Sequence, residues 1–274
     1  MPSFAVSISI LGLVQAALVA LPAPFRVAWL DRLRSPWLAL IPALSIVVVV
    51  GAIELDAGSA TALAWLALVT VPPLAAVGLA FLVHGSRPSW ALGVLALFAL
   101  AWAAKGSLAG EAAAMALSGL GCVTLGWLLV STVPARWLRL GVYAMATIDA
   151  VYVSADLLQG PNAVLSVAVP VADLPQLQAV HFGHAQMGFG DLFVAALVGC
   201  LLAQLPADGP IRQGHLDVSA RRQWVGAGLT AVLALTFDLL FFAVDELPAT
   251  VPVAVSLALV TWLERKERAR AAQL

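Results

Sequence analysis

Charge is the scarcest property of this chain. Asp, Glu, Lys and Arg together make up 11% of its 274 residues, lysine occurs only as Lys105 and Lys266, and the net charge is −1. Soluble domains carry about a quarter charged residues, so that class is excluded. No basic cluster lies outside the C-terminal tail, which argues against nucleic acid as a partner. Cysteine occurs twice, as Cys122 and Cys200, each inside an apolar run. That leaves no disulfide framework and makes both small packing residues. No internal repeat and no soluble domain can be recognised.

What fills the chain instead is apolar. The sequence is 62% hydrophobic, with a mean hydropathy of +0.99. Repeated apolar runs of roughly 18 residues or more read as transmembrane helices, so an all-α polytopic membrane protein is expected, with the lipid bilayer as its surroundings. Hydropathy predicts nine spans, at about Ser3–Phe25, Pro36–Ile53, Ala60–Val83, Pro88–Ala104, Ala112–Val133, Trp137–Leu158, Met187–Leu205, Gln223–Val244 and Pro248–Leu263. Pro72 and Pro73 fall inside the third, where a kink is expected. The first run lacks a basic start and is too long for a cleavable signal peptide, so it is kept as a span. Trp29, Trp37, Trp137 and Trp262 stand near span ends, where indoles anchor at the interface.

Cations set the direction. Arg26, Arg32, Arg34, Arg87, Arg136, Arg139, Arg212, Arg221, Arg222, Arg265, Lys266, Arg268 and Arg270 all follow odd-numbered spans. Nine spans put them on one side, which the positive-inside rule makes cytoplasmic. Lys105 alone falls on the other side, with Glu54, Asp56, Glu111, Asp156, Asp173, Asp245 and Glu246. The N-terminus is therefore expected outside and the C-terminus in the cytoplasm. The longest outer connection, Gln159 to Gln186, contains a valine-rich alternating stretch, Ala163 to Val171, that predicts a short strand. A loop of this kind is where motion and substrate access are expected.

Two acids inside spans are costly enough to be functional by default: Asp149 in the sixth and Asp191 at the head of the seventh. Short connections make these spans antiparallel neighbours. Asp149 then lies about nine residues, roughly 13 Å, below the outer end of its helix. Asp191 is shallower if the seventh helix starts at Met187, so that helix must begin earlier or sit recessed below an aqueous cavity. Two carboxyls a few ångströms apart share one proton, and an ionised member beside a protonated one is what acid/base hydrolysis of a peptide bond requires. Gly188 and Gly190 flank Asp191, removing side-chain bulk so that another backbone can approach and permitting an unwound helix start.

Gly188-Phe189-Gly190-Asp191 resembles the Gly-x-Gly-Asp signature of the intramembrane aspartyl proteases, the presenilin and signal peptide peptidase family. Ile148-Asp149-Ala150-Val151-Tyr152-Val153 is similar to the family's Tyr-Asp motif, and Leu247-Pro248-Ala249-Thr250 to its Pro-Ala-Leu motif. Ile148 stands where the family has tyrosine, and Thr250 where it has leucine. The resemblance covers Trp137 to Leu263, and the motif order and charge bias are closest to signal peptide peptidase. It implies a five-helix scaffold over residues 1–136 and a catalytic region over 137–274. It further implies an aspartic endopeptidase that cuts single-span, signal-peptide-like or type II helical substrates, with Asp149 and Asp191 as the catalytic pair and no cofactor or metal. A helical substrate must be unwound first, and strand addition would hold it extended. Gly188, Gly190, Pro248, Ala249 and Thr250 are the expected substrate-binding positions. Tyr152, about one turn from Asp149, joins them as a candidate hydrogen-bond partner.

Other acids and bases read differently. Asp238, near the outer end of the eighth span, is expected to snorkel to the interface. His181 and His184, three apart, have the spacing of a metal pair on a helix turn, but with no third ligand nearby they read as loop histidines. A prepilin-peptidase-like protease also uses Gly-x-Gly-Asp, yet it has a lysine after the motif where Leu192 and Phe193 stand here. A proton-coupled carrier using Asp149 and Asp191 as ion sites is the non-enzymatic alternative.

Overall fold

The computed structural model describes residues 2–27, 29–56, 58–155, 157, 160, 163–165, 168, 174–204, 213–242 and 247–271. Among these residues there are nine helices of eleven residues or more: α1 (Phe4–Ala20), α2 (Leu40–Leu55), α3 (Gly58–Val77), α4 (Gly93–Ala103), α5 (Leu108–Thr132), α6 (Ala135–Ser154), α7 (Phe189–Ala203), α8 (Gln213–Asp238) and α9 (Thr250–Ala271). One antiparallel hairpin, β1 (Ala179–Phe182) and β2 (Ala185–Gly188), runs directly into α7. The chain is thus mostly helical. Three of its helical stretches, Pro36–Ile53, Gly58–Leu82 and Leu108–Thr132, are long and apolar enough to cross a membrane; α1, α4 with the turn before it, and α7 are apolar but shorter.

The local causes are visible in the sequence. Ser107 caps α5 by accepting from the Gly110 N–H at 3.2 Å, and Glu111 sits in the first turn, where negative charge suits the helix dipole. Pro36 and Pro88 each open a 3₁₀ turn that leads into α2 and α4, a position where the missing N–H costs nothing. Pro72 and Pro73 lie inside α3, and past Val77 the helix loosens into a π-turn over Gly78–Leu82.

α7 is the hub. Every residue from Val194 to Ala203 is buried, as expected of a helix that is apolar all round. It is enclosed by α1, α5, α8 and α9, while α6 only grazes it and packs instead on α2 and α9. The closest approach is to α1. A Cβ on Gly199 would stand 2.6 Å from the Leu18 carbonyl oxygen and 2.7 Å from that of Val19, so only glycine lets the two backbones meet. The main core extends from Leu11 in α1 to Val260 in α9, with a small satellite cluster of Ile53, Ala60 and Ala168. Outside it the surface is strongly apolar: Trp37 is 76% exposed, Trp224 71% and Leu55 91%. Apolar exposure on this scale is what lipid contact looks like rather than water contact.

Hydrogen bonds sort the connections into two ends. At one, His84 N donates to Leu21 O, Ser35 N to Thr132 O and Arg34 Nε to Ser131 O. There too Arg222 Nη2 donates to Gln204 O, and its guanidinium faces Glu264. The segments after the first, third, fifth, seventh and ninth predicted spans therefore meet at one end. At the other, Gly183 N donates to Glu111 Oε2 at 2.8 Å and His184 N to Ser7 Oγ at 3.2 Å, joining the hairpin to the starts of α5 and α1.

Two expectations are corrected. Met187 and Gly188 belong to β2, so α7 begins at Phe189, two residues later than hydropathy suggests, because the hairpin register carries the extended backbone that far. The valine-rich stretch is helical at residues 163–165 rather than a strand; its positions 166–167 and 169–171 lie outside the described residues. The strand pairing occurs further on, around a two-residue turn in which Gly183 adopts φ 60°, open to glycine at no steric cost.

Candidate active site

Asp149 sits on α6 about three-quarters of the way to its C-terminal end, and Asp191 occupies the first turn of α7. Both carboxylates line one cavity of about 1040 Å³. Its wall draws on α1, α6, α7, α8, the start of α9 and the hairpin, together with side chains of α2, α3 and α5. α6 and α7, consecutive among the long helices, barely touch, and both line this cavity.

Each acid is oriented through one oxygen. Thr250 Oγ1 donates to Asp149 Oδ2 at 2.6 Å, and Thr250 N donates to the same oxygen at 3.3 Å. Gly188 N donates to Asp191 Oδ2 at 3.1 Å, the reach-back of an acid in a first helical turn to the residue before the helix. Among the described residues Oδ1 of each carboxyl takes no protein hydrogen bond, so it is free for water or substrate.

The motif positions divide. Gly188, Gly190, Ala249 and Thr250 line the cavity with the two acids; Pro248 and Tyr152 do not. Pro248 O accepts from Val251 N, and Tyr152 O from Leu157 N, with no bond from the Tyr152 ring to Asp149. Close backbone approach does not explain Gly190, because a Cβ there would meet nothing within 4 Å. The glycine leaves open volume beside Asp191 instead. Thr250, where the similar family has leucine, is only 3% exposed and gives Asp149 a donor that leucine lacks.

Asp238 behaves unlike its sequence reading: it is turned inward and lines the same cavity. It takes a hydrogen bond from Ser9, while its Oδ2 is buried without a partner. His181 lies on β1 and His184 in the turn, so they do not share a helix face. Burial pushes the His181 imidazole below its ordinary value, partly offset by the Glu111 carboxylate. Gln15 on α1 was not singled out by any motif. It is 1% exposed, lines the cavity, and donates from Nε2 to Ala249 O at 3.1 Å and to Asp191 O at 3.5 Å. The available signal was a lone amide in a seventeen-residue apolar helix.

Comparison with protein-family models, with characterised proteins and with solved structures returns no match to this chain.

Proposed function

We propose that the chain is an intramembrane aspartyl endopeptidase of the presenilin and signal peptide peptidase type, acting on single-span helical peptides through Asp149 and Asp191. The observation that carries this reading is that two acids 42 positions apart, on separate helices, line one cavity, with a residue of the third motif bonded to one of them. In the reaction the ionised carboxyl takes a proton from water as its oxygen attacks the scissile carbonyl carbon. The protonated carboxyl gives its proton to the carbonyl oxygen as charge develops there, which forms a gem-diol. On collapse one gem-diol hydroxyl returns its proton to that carboxylate, the C–N bond breaks, and the proton gained from water by the other carboxyl goes to the leaving nitrogen. The cavity volume is at the upper end of that used for drug-sized ligands, enough for an extended peptide segment with water.

Nine spans, an outer N-terminus and a cytoplasmic C-terminus belong to the same proposal. They are supported by the arginine distribution and by the grouping of odd-numbered connections at one end of the bundle. With fifteen residues, α7 is about 22 Å long, shorter than a hydrocarbon core of about 30 Å. Its head is then recessed, and the hairpin with the cavity beside it supplies the polar surroundings that non-helical backbone needs at depth.

The test is cleavage of a fluorogenic single-span peptide by the purified protein. Asp149→Ala and Asp191→Ala should each abolish it and Asp238→Ala should not; cleavage surviving either of the first two sinks the assignment. A proton-coupled carrier is the second reading, favoured by Asp238 as a third acid on the same cavity. Proton-driven uptake into vesicles without peptide cleavage would select it.

A further inference from the structure

We infer that Gln15 is a positioning residue, a single amide that ties the backbone of Asp191 to the segment whose Thr250 holds Asp149, and so fixes the spacing of the two carboxyls. The inference rests on the protease reading for its consequence in catalysis, but the tie itself is geometric. Gln15 is buried in an apolar helix, where an unpaired amide is costly, and its Nε2 spends its hydrogens on two carbonyls from different elements. One is Asp191 O, on the head of α7. The other is Ala249 O, immediately before Thr250, whose N–H and O–H hold Asp149 Oδ2. A continuous link therefore runs from the Asp149 carboxylate through Thr250 and Ala249 to the Gln15 amide and on to Asp191.

Few side chains can occupy this position. A leucine or methionine fills the space and leaves both carbonyls without their donor. An ionised glutamate has no hydrogen to give, and asparagine is a methylene short. The anchor is firm because α1 lies flush on α7 at Gly199, three to four residues further along α1. The first helix, which carries none of the motif residues, thereby sets the geometry between two that do. Nothing else described bridges α7 and α9 at this depth by side-chain hydrogen bonds.

A matched control exists in the same molecule. Gln223 on α8 is also 1% exposed and donates from Nε2 to a main-chain carbonyl, Pro22 O, at 2.6 Å, while its Oε1 faces His84 Nε2 at 3.3 Å. It lies at the opposite end of the bundle and off the cavity. Gln15→Leu and Gln223→Leu should therefore lower the thermal midpoint comparably. Only Gln15→Leu should lower kcat, by about 10–100-fold, the scale of a misplacement near 1 Å. The loss should fall more on kcat than on KM, because the spacing of the two carboxyls matters most in the transition state. The bell-shaped pH profile of kcat/KM should also narrow in Gln15→Leu alone, because carboxyls held further apart share their proton over a smaller pH range.

A second measurement needs no proteolysis. In protein carrying Cys122→Ser and Cys200→Ser, Gly190→Cys and Leu247→Cys, which line the cavity on either side of the tie and leave its hydrogen bonds in place, should cross-link with a short bis-maleimide, and adding Gln15→Leu should cut the yield several-fold while adding Gln223→Leu should not. Cross-linking unaffected by Gln15→Leu overturns the inference, as does a kcat loss equal in the two glutamine variants. If the cross-link weakens but the parent protein cleaves no peptide, the tie stands and the protease assignment is what fails.

Discussion

Replacing Thr250 by valine removes one oxygen from the site while nearly preserving shape. The side chain is 3% exposed, so valine packs where threonine did, and the main-chain N–H to Asp149 at 3.3 Å survives. What disappears is the 2.6 Å O–H bond to Asp149 Oδ2. A hydrogen bond to a charged group is worth about 1.5–3 kcal/mol, which is roughly a 10- to 150-fold change if all of it is lost from the transition state. The retained N–H keeps the carboxylate near its position, so the lower part of that range is expected for kcat, with KM little changed. Thr250→Ser restores the donor and should recover most of the activity. Thr250→Leu, the residue of the similar family, should not, since it lacks the donor and adds volume to a filled site. The assay is initial-rate cleavage of a fluorogenic single-span peptide across substrate concentrations, with helicity and thermal midpoint measured on the same samples. Valine at wild-type rates, or serine no better than valine, would refute the idea that this hydroxyl orients the acid.

Two further perturbations test the scaffold. Gly199→Ala places a methyl group 2.6 Å from the Leu18 carbonyl and must push α1 off α7, costing roughly 1–3 kcal/mol; an unchanged unfolding midpoint would show that the helices are not in backbone contact. The half-buried His181 has a folded-state value below its ordinary 6.5, so it stabilises the fold fully above that pH and progressively less as pH falls through and below it. Thermal midpoints measured from pH 8 down to pH 5 should therefore drop more for the parent protein than for His181→Phe, and identical slopes would contradict the burial of the ring.

The helices were legible because their cause is local. Scarce charge and long apolar runs dictate helical segments, whether or not each crosses a bilayer, and the observed bounds of α5 and α6 fall within about four residues of the hydropathy spans. Gly-x-Gly-Asp was legible as a pattern, but its physical use was not. Gly188 ends a strand rather than an unwound helix, and Gly190 faces open volume rather than a neighbouring backbone. Tyr152 was placed beside Asp149 by one-turn spacing, yet spacing along a helix does not say which of its sides meets the cavity. Asp238 was assigned to the interface from its position near a span end, and only the packing of α8 on α1 turns it inward.

By itself the amino-acid order determined that this chain is a mostly helical, lipid-compatible bundle and that Asp149 and Asp191 are its expensive residues, since hydropathy and the cost of a charge in apolar surroundings depend on composition alone. Which acid shares a cavity with which, that Thr250 serves Asp149, and that a glutamine in the first helix reaches both motif-bearing backbones were decided by tertiary structure. Those contacts join residues from about 100 to more than 230 positions apart, and no periodicity within a single helix carries information across such distances.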